Sequence, residues 1–158
     1  MSSPLIAVIG GDPCSAKEGQ DAREVGERIA RSGAILLTGG LGGVMEFASE
    51  GAARAGGITV GILPGDDPSS ANAHVTIPIC TSLGHLRNTL VVSAGQAVIA
   101  IGGRIGTLSE IAFARLSGKR VIGLGSWRLD EGRLPEDVVF PASSPEEAVA
   151  LALREAKR

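Results

Sequence analysis

The densest chemistry in this chain lies in the run Ile101-Gly102-Gly103-Arg104-Ile105-Gly106-Thr107-Leu108-Ser109-Glu110. It follows the apolar residues Ala97–Ala100 and leads into Ile111–Leu116, where apolar positions recur at helical spacing, so it reads as strand, glycine turn and helix. Glycines let the backbone come close to a ligand, and the first free N–H groups of the helix then point at it. With the positive end of the helix dipole, this is a site for phosphate or another anion. Thr107 adds a hydroxyl at the helix start, and Glu110 lies about one turn further on. The same residues also fit a tight turn in which Thr107 and Glu110 form a capping box.

The rest of the chain alternates strand and helix signals. Leu5–Ile9 is a continuous apolar run ending in Gly10-Gly11, as expected of a strand buried on both faces. Ala22, Val25, Ile29 and Ala30 mark one helical face, which Ser32-Gly33 ends. Ala34–Leu37 reads as the second strand and runs into Thr38-Gly39-Gly40-Leu41-Gly42-Gly43. A helix is expected over Val44–Ala55 and a third strand over Ile58–Leu63. Pro64–Ala73 has no periodicity and reads as a mobile loop, and His74–Thr81 as a strand that Pro78 marks as an edge. Gly84–Gln96 reads as a helix, Arg120–Leu124 as a strand, Asp130–Arg133 as a turn and Val138–Phe140 as a last short strand. Ser144-Pro145-Glu146-Glu147 opens a final helix that should run almost to Arg158.

Such alternation implies an α/β fold: a single doubly wound, mostly parallel sheet with helices on both faces, Rossmann-like, in one domain over residues 1–158. Ligands of these folds bind outside the carboxyl ends of the strands, and the glycine turns at Gly10, Gly39 and Gly102 all fall at that edge. Neither later turn satisfies GxGxxG and no acidic residue ends the second strand, which argues against an NAD site. A net charge of −2 provides no basic field for nucleic acid. No apolar run is long enough to span a bilayer, and the Met-Ser-Ser-Pro start carries no signal peptide, so the expected setting is the cytoplasm. Cys14 and Cys80 form no CxxC pair, and His74 and His85 lack metal-ligand spacing; no metal and no cofactor are expected.

Three motifs in order carry a resemblance: Thr38-Gly39-Gly40-Leu41-Gly42-Gly43-Val44-Met45-Glu46, then Arg87-Asn88, then Gly102-Gly103 through Glu110. Together they resemble the LOG-like superfamily, which includes the LONELY GUY phosphoribohydrolases, the proteins mislabelled lysine decarboxylases and the molybdenum cofactor carrier proteins. The hydrolases are marked by PGGxGTxxE with an Arg on the preceding helix; Arg87, Gly106-Thr107 and Glu110 match. Ile101 replaces the motif's Pro, and Arg104-Ile105 stands where the hydrolases have one residue. In this loop the chain is closer to the uncharacterised and carrier-like branch.

The resemblance implies two functions. In one, a nucleoside 5′-monophosphate loses its base by N-glycosidic hydrolysis, with Glu110 stabilising the oxocarbenium character and activating water, and Arg87 holding phosphate or sugar. In the other, a phosphorylated pterin or nucleotide is bound and carried without a broken bond. Both use Gly10, Gly11, Gly39, Gly40, Gly42, Gly43, Gly102, Gly103, Gly106, Thr107 and Asn88 as the cradle. Leu90, Val91 and Val92 spread apolar surface beyond one stripe of their helix, and with the resemblance this implies a homo-oligomer, dimer or tetramer.

Overall fold

In a computed structural model, the structure describes residues 2–129 and 138–158; the turn expected at Asp130–Arg133 lies outside them. The chain begins with β1 (Leu5–Gly10), α1 (Ala16–Arg31), β2 (Ile35–Thr38), α2 (Val44–Arg54) and β3 (Thr59–Leu63). It continues through β4 (Ile77–Cys80), α3 (Arg87–Ala94), β5 (Ala97–Ile101), α4 (Ile105–Leu116), β6 (Val121–Leu124), β7 (Val139–Ala142) and α5 (Pro145–Glu155). The strands form one seven-stranded sheet in the order β4-β3-β2-β1-β5-β6-β7, and every adjacent pair is parallel. The order reverses between β1 and β5, where a doubly wound sheet opens a crevice at its carboxyl edge.

Burial explains the order. β5 is buried along its whole length, and Ile6–Ile9 of β1 likewise, so these two all-apolar strands take the centre. Pro78 and Pro141 sit on β4 and β7, the two edges, where a missing N–H costs no ladder bond. Alternate strand residues face opposite layers. Ile6, Val8, Leu36, Ile99 and Ile101 pack with α1, α2 and α5 through Val25, Ile29, Ala48 and Ala148. Ala7, Ile9, Leu37, Val98 and Ala100 pack with α3 and α4 through Val91, Val92, Ile111 and Ala114.

On the first layer α1 and α2 cross at backbone distance. A Cβ on Gly26 would fall on the carbonyl oxygen of Ala48, and one on Gly51 on that of Arg23. A capping box starts α1: Glu18 N–H donates to Ser15 Oγ at 3.2 Å and Ser15 N–H to Glu18 Oε2 at 2.7 Å. Ser144 caps α5, accepting from Glu147 N–H at 3.1 Å, and that helix runs to Glu155, close to Arg158 as expected.

Several expected boundaries shift. Gly84–Gln96 divides into a 3-10 turn over Gly84–Leu86 and α3, which starts at Arg87. β4 spans only Ile77–Cys80, because His74 and Thr76 bond back to Thr59, whose hydroxyl donates to His74 O at 2.6 Å. The stretch expected to be a mobile loop contains a 3-10 turn, Pro68–Ser70, capped by Asp67, and Asn72 is tied to the second glycine turn by Asn72 N–H to Gly40 O at 2.8 Å. The Thr107–Glu110 capping box is not formed. Arg104 is the N-cap of α4 and no side chain caps it, so Thr107 and Glu110 lie inside the helix. Among the described residues no helix is long and apolar enough to cross a membrane.

Candidate functional site

Parallel strands bring the ends of β1, β2 and β5 to one edge, so the three glycine turns meet there. Much of their glycine content serves this meeting. A Cβ on Gly10 would lie 2.6 Å from Ile101 O and 2.7 Å from Val44, which closes the first turn against the other two. Gly40 packs on Leu63, Gly42 on Asp12, Gly43 on the carbonyl of Gly11 and Gly102 on the Glu18 carboxylate. Gly103 has φ 104°, a left-handed conformation that L side chains resist, and lies against Thr107. The first amide of α2 is also spent internally, since Val44 N–H donates to Gly11 O at 3.0 Å.

The start of α4 differs. With no capping side chain among the described residues, its leading N–H groups are left for water or a ligand, and Gly106 is exposed with open space where a side chain would be. This helix end borders a cavity of about 260 Å³. Of the residues singled out from sequence, Gly10, Gly11, Gly39, Arg87, Asn88, Gly106, Thr107 and Glu110 line it. Gly40, Gly42, Gly43, Gly102 and Gly103 stand behind them in the packed turns. Sequence reasoning missed Asp12, Met45, His85 and Arg104 as parts of the lining. Arg104 had a signal as half of the pair that lengthens the turn, and Met45 as part of the second glycine motif.

Arg87, the first residue of α3, and Glu110, in the middle of α4, line the same cavity. Arg87 is 6% exposed, and Gly39 makes this burial sterically feasible: its missing Cβ leaves the space that the guanidinium Nη1 fills. The buried Nε has no hydrogen-bond partner among the described residues. Burial lowers the Arg87 pKa and the Glu110 carboxylate pulls it back up, yet a guanidinium stays charged at any physiological pH. Glu110 is 9% exposed; burial pushes its carboxyl up to about 7, against the opposing pull of Arg87. No hydrogen bond reaches that carboxyl among the described residues. An unpaired buried N–H costs roughly 1–3 kcal/mol, more on a charged group. Such a cost is offset when an anionic ligand supplies the acceptor.

Two other features do not compete. A larger hollow of about 700 Å³ lies over α1 and α5, but its arginines are already paired, Arg28 with Glu24 at 2.8 Å and Arg23 with Glu50 at 2.9 Å. Among the described residues no group of three or more His, Cys, Asp or Glu could hold a metal ion, and both cysteines are free.

Known proteins with this architecture match end to end. The model of the SLOG cluster4 family matches residues 3–152. A molybdenum cofactor binding protein from Rippkaea orientalis is 39% identical and superposes with a TM-score of 0.89, covering 98% of both chains. The molybdenum cofactor carrier protein from Chlamydomonas reinhardtii is 33% identical with a TM-score of 0.86, over 99% of this chain and 100% of that one. An uncharacterized protein of Archaeoglobus fulgidus is 44% identical over 149 residues, 94% of each chain. With matches of this extent, the chain belongs to the SLOG cluster4 family of the LOG-like superfamily, on the branch that holds the molybdenum cofactor carrier proteins.

Proposed function

We propose that this chain binds a phosphorylated pterin of the molybdenum cofactor kind and holds it without breaking a bond. The observation that carries this reading is the Arg87 guanidinium, buried beside the open end of α4 with its Nε unpaired. A buried cation next to free helix amides asks for an anion, and a phosphate ester offers several acceptor oxygens to both. The binding and carrier activities of its relatives name the kind of molecule that bears the phosphate. In this reading Arg87, Arg104 and the amides of Gly106 and Thr107 hold the anionic groups, while Asn88 and the Thr107 hydroxyl add neutral hydrogen bonds.

Calorimetry tests it directly. Hydroxymethylpterin phosphate should bind more tightly than hydroxymethylpterin, and Arg87→Ala should weaken the phosphorylated ligand by about 10- to 100-fold, the scale of one charge-assisted hydrogen bond. Equal affinity for the two pterins would remove the anion site.

A second reading, hydrolysis of nucleoside 5′-monophosphates, is favoured by one observation: a Glu110 carboxyl near 7 can give or take a proton at neutral pH. Chromatography of free base after incubation with AMP, GMP, CMP, UMP and IMP separates the two. The carrier reading expects no base from any of them. The hydrolase reading expects release that falls by about 100-fold or more in Glu110→Gln.

We also infer that the protein assembles as a homo-oligomer through α3 and the turn before it, where Leu90 is 39% and Leu86 68% exposed. Light scattering that finds only monomer at micromolar concentration would count against this.

A further inference from the structure

A second hollow opens beside the first, between α3 and α4. It measures about 400 Å³ and shares His85, Asn88, Gly106 and Glu110 with the Arg87 cavity. Beyond those residues the two differ in chemistry. The Arg87 cavity carries Arg87, Arg104 and Asp12, whereas the second is walled by Leu86 and the half-buried ring of Phe113. Glu110, nine-tenths buried and reached by no hydrogen bond among the described residues, stands where they join. A site built this way suits a molecule with an anionic end and a flat heterocyclic end whose rim presents N–H donors to a carboxyl.

We propose that the hollow between α3 and α4 takes the pterin ring, with Glu110 accepting the paired N–H groups of its aminopyrimidinone edge and Phe113 and Leu86 covering the ring. The Arg87 cavity then takes the phosphorylated end. This inference rests on the reading that the ligand is a phosphorylated pterin, and adds which way round it lies and what reads the ring.

The chemistry is specific. An aminopyrimidinone carries a ring N–H and an exocyclic amine side by side, and the two oxygens of a carboxylate accept both at once. Low local polarity strengthens such bonds and raises the cost of a ring that cannot make them. Guanine shares this edge; adenine presents an acceptor nitrogen in its place, which would face the carboxylate oxygens. Phe113 supplies a flat apolar surface for a heterocycle at little entropic cost.

The test is a titration of the intact protein with hydroxymethylpterin phosphate, GMP, AMP and inorganic phosphate, in wild type, Glu110→Gln, Phe113→Ala and Phe113→Leu. Wild type should prefer the pterin phosphate to AMP and to inorganic phosphate by about 10-fold or more, the discrimination of a site built around a buried hydrogen-bonding group. Glu110→Gln and Phe113→Ala should each cut that preference by about 10-fold. Phe113→Leu keeps most of the packing volume, so a loss of preference there identifies the flat ring even if the alanine variant does not fold. GMP should bind more tightly than AMP and less tightly than the pterin phosphate. An unchanged preference in Glu110→Gln and Phe113→Leu, with phosphate-dependent binding intact, overturns this inference and leaves the carrier reading standing. GMP binding tighter than the pterin phosphate overturns the pterin as occupant. No binding of any phosphorylated probe overturns both readings.

Discussion

The two faces of the sheet are built to opposite rules. On one, α1, α2 and α5 cover an apolar layer in which the closest approaches are backbone to backbone, at Gly26 against Ala48 and Gly51 against Arg23. On the other, α3 buries Arg87 at its first position and α4 buries Glu110 near its middle, while Leu86 just before α3 and Ile105 at the start of α4 are 68% and 75% exposed. The first face locks the scaffold. The second gives up packing to hold a buried guanidinium whose Nε has no partner among the described residues, beside a carboxyl that burial raises to about 7, which is how binding sites differ from cores. The difference teaches where to look for function in such a sheet: at the face whose helices fit it less completely.

The largest expected effect tests the locked face. Gly26→Val forces a branched side chain onto the Ala48 carbonyl, and overpacking of this kind costs about 3 kcal/mol or more. Thermal denaturation should show a midpoint lower by roughly 6–12 °C. A midpoint within 2 °C of wild type, on the order of experimental scatter for this size, would mean the helix pair is not locked at all.

The next prediction concerns the other face. Between pH 4.5 and about 7, a carboxyl raised from 4.5 to about 7 keeps its proton in the folded chain while the unfolded chain has lost it. Its contribution is therefore fully present below pH 4.5 and is lost as the pH rises through 7, by on the order of 3 kcal/mol. Glu110→Gln removes this slope. Denaturant unfolding of both proteins between pH 4.5 and 8 should show the variant gaining on wild type as the pH rises, a difference that also cancels the opposite pH dependence of Glu50, which burial raises but Arg23 and its neighbours hold low, and of Glu147, held low by Ser143 hydrogen bonds. Parallel curves would show that Glu110 is not desolvated, and the contrast between the faces would weaken.

The smallest prediction returns to the scaffold. Ser144→Ala removes the hydroxyl that caps α5 and should cost about 1 kcal/mol of stability, read by the same denaturant unfolding. Affinity for phosphorylated ligands should not change, because α5 lies on the face away from the site.

Much of this could be read from the chain. Apolar runs ended by glycine located the inner strands, and the first three strands and first two helices fell near their expected places because burial on both faces leaves no other pattern for the inner strands of a parallel sheet. The site was legible in part. Glu110 was visible as a residue three positions past Thr107, but the same spacing serves a capping box and two neighbours on one helical face, and only the backbone at Arg104 decides between them. The burial of Arg87 was not legible, because it depends on the missing Cβ of Gly39, a residue on another element nearly fifty positions away. Asp12 and His85 gave no local signal for the same reason.

The prolines at the two rims of the sheet have a consequence for how copies of this protein can meet. A strand offered by a neighbouring chain finds a donor missing at Pro78 on one rim and at Pro141 on the other. Growth by adding strands edge to edge is thereby discouraged at both margins, and fibre-like stacking has no clean seam to start from. A homo-oligomer of the kind proposed would have to form through the helical surfaces instead, where contacts between side chains have a definite fit and can stop at a closed, countable assembly.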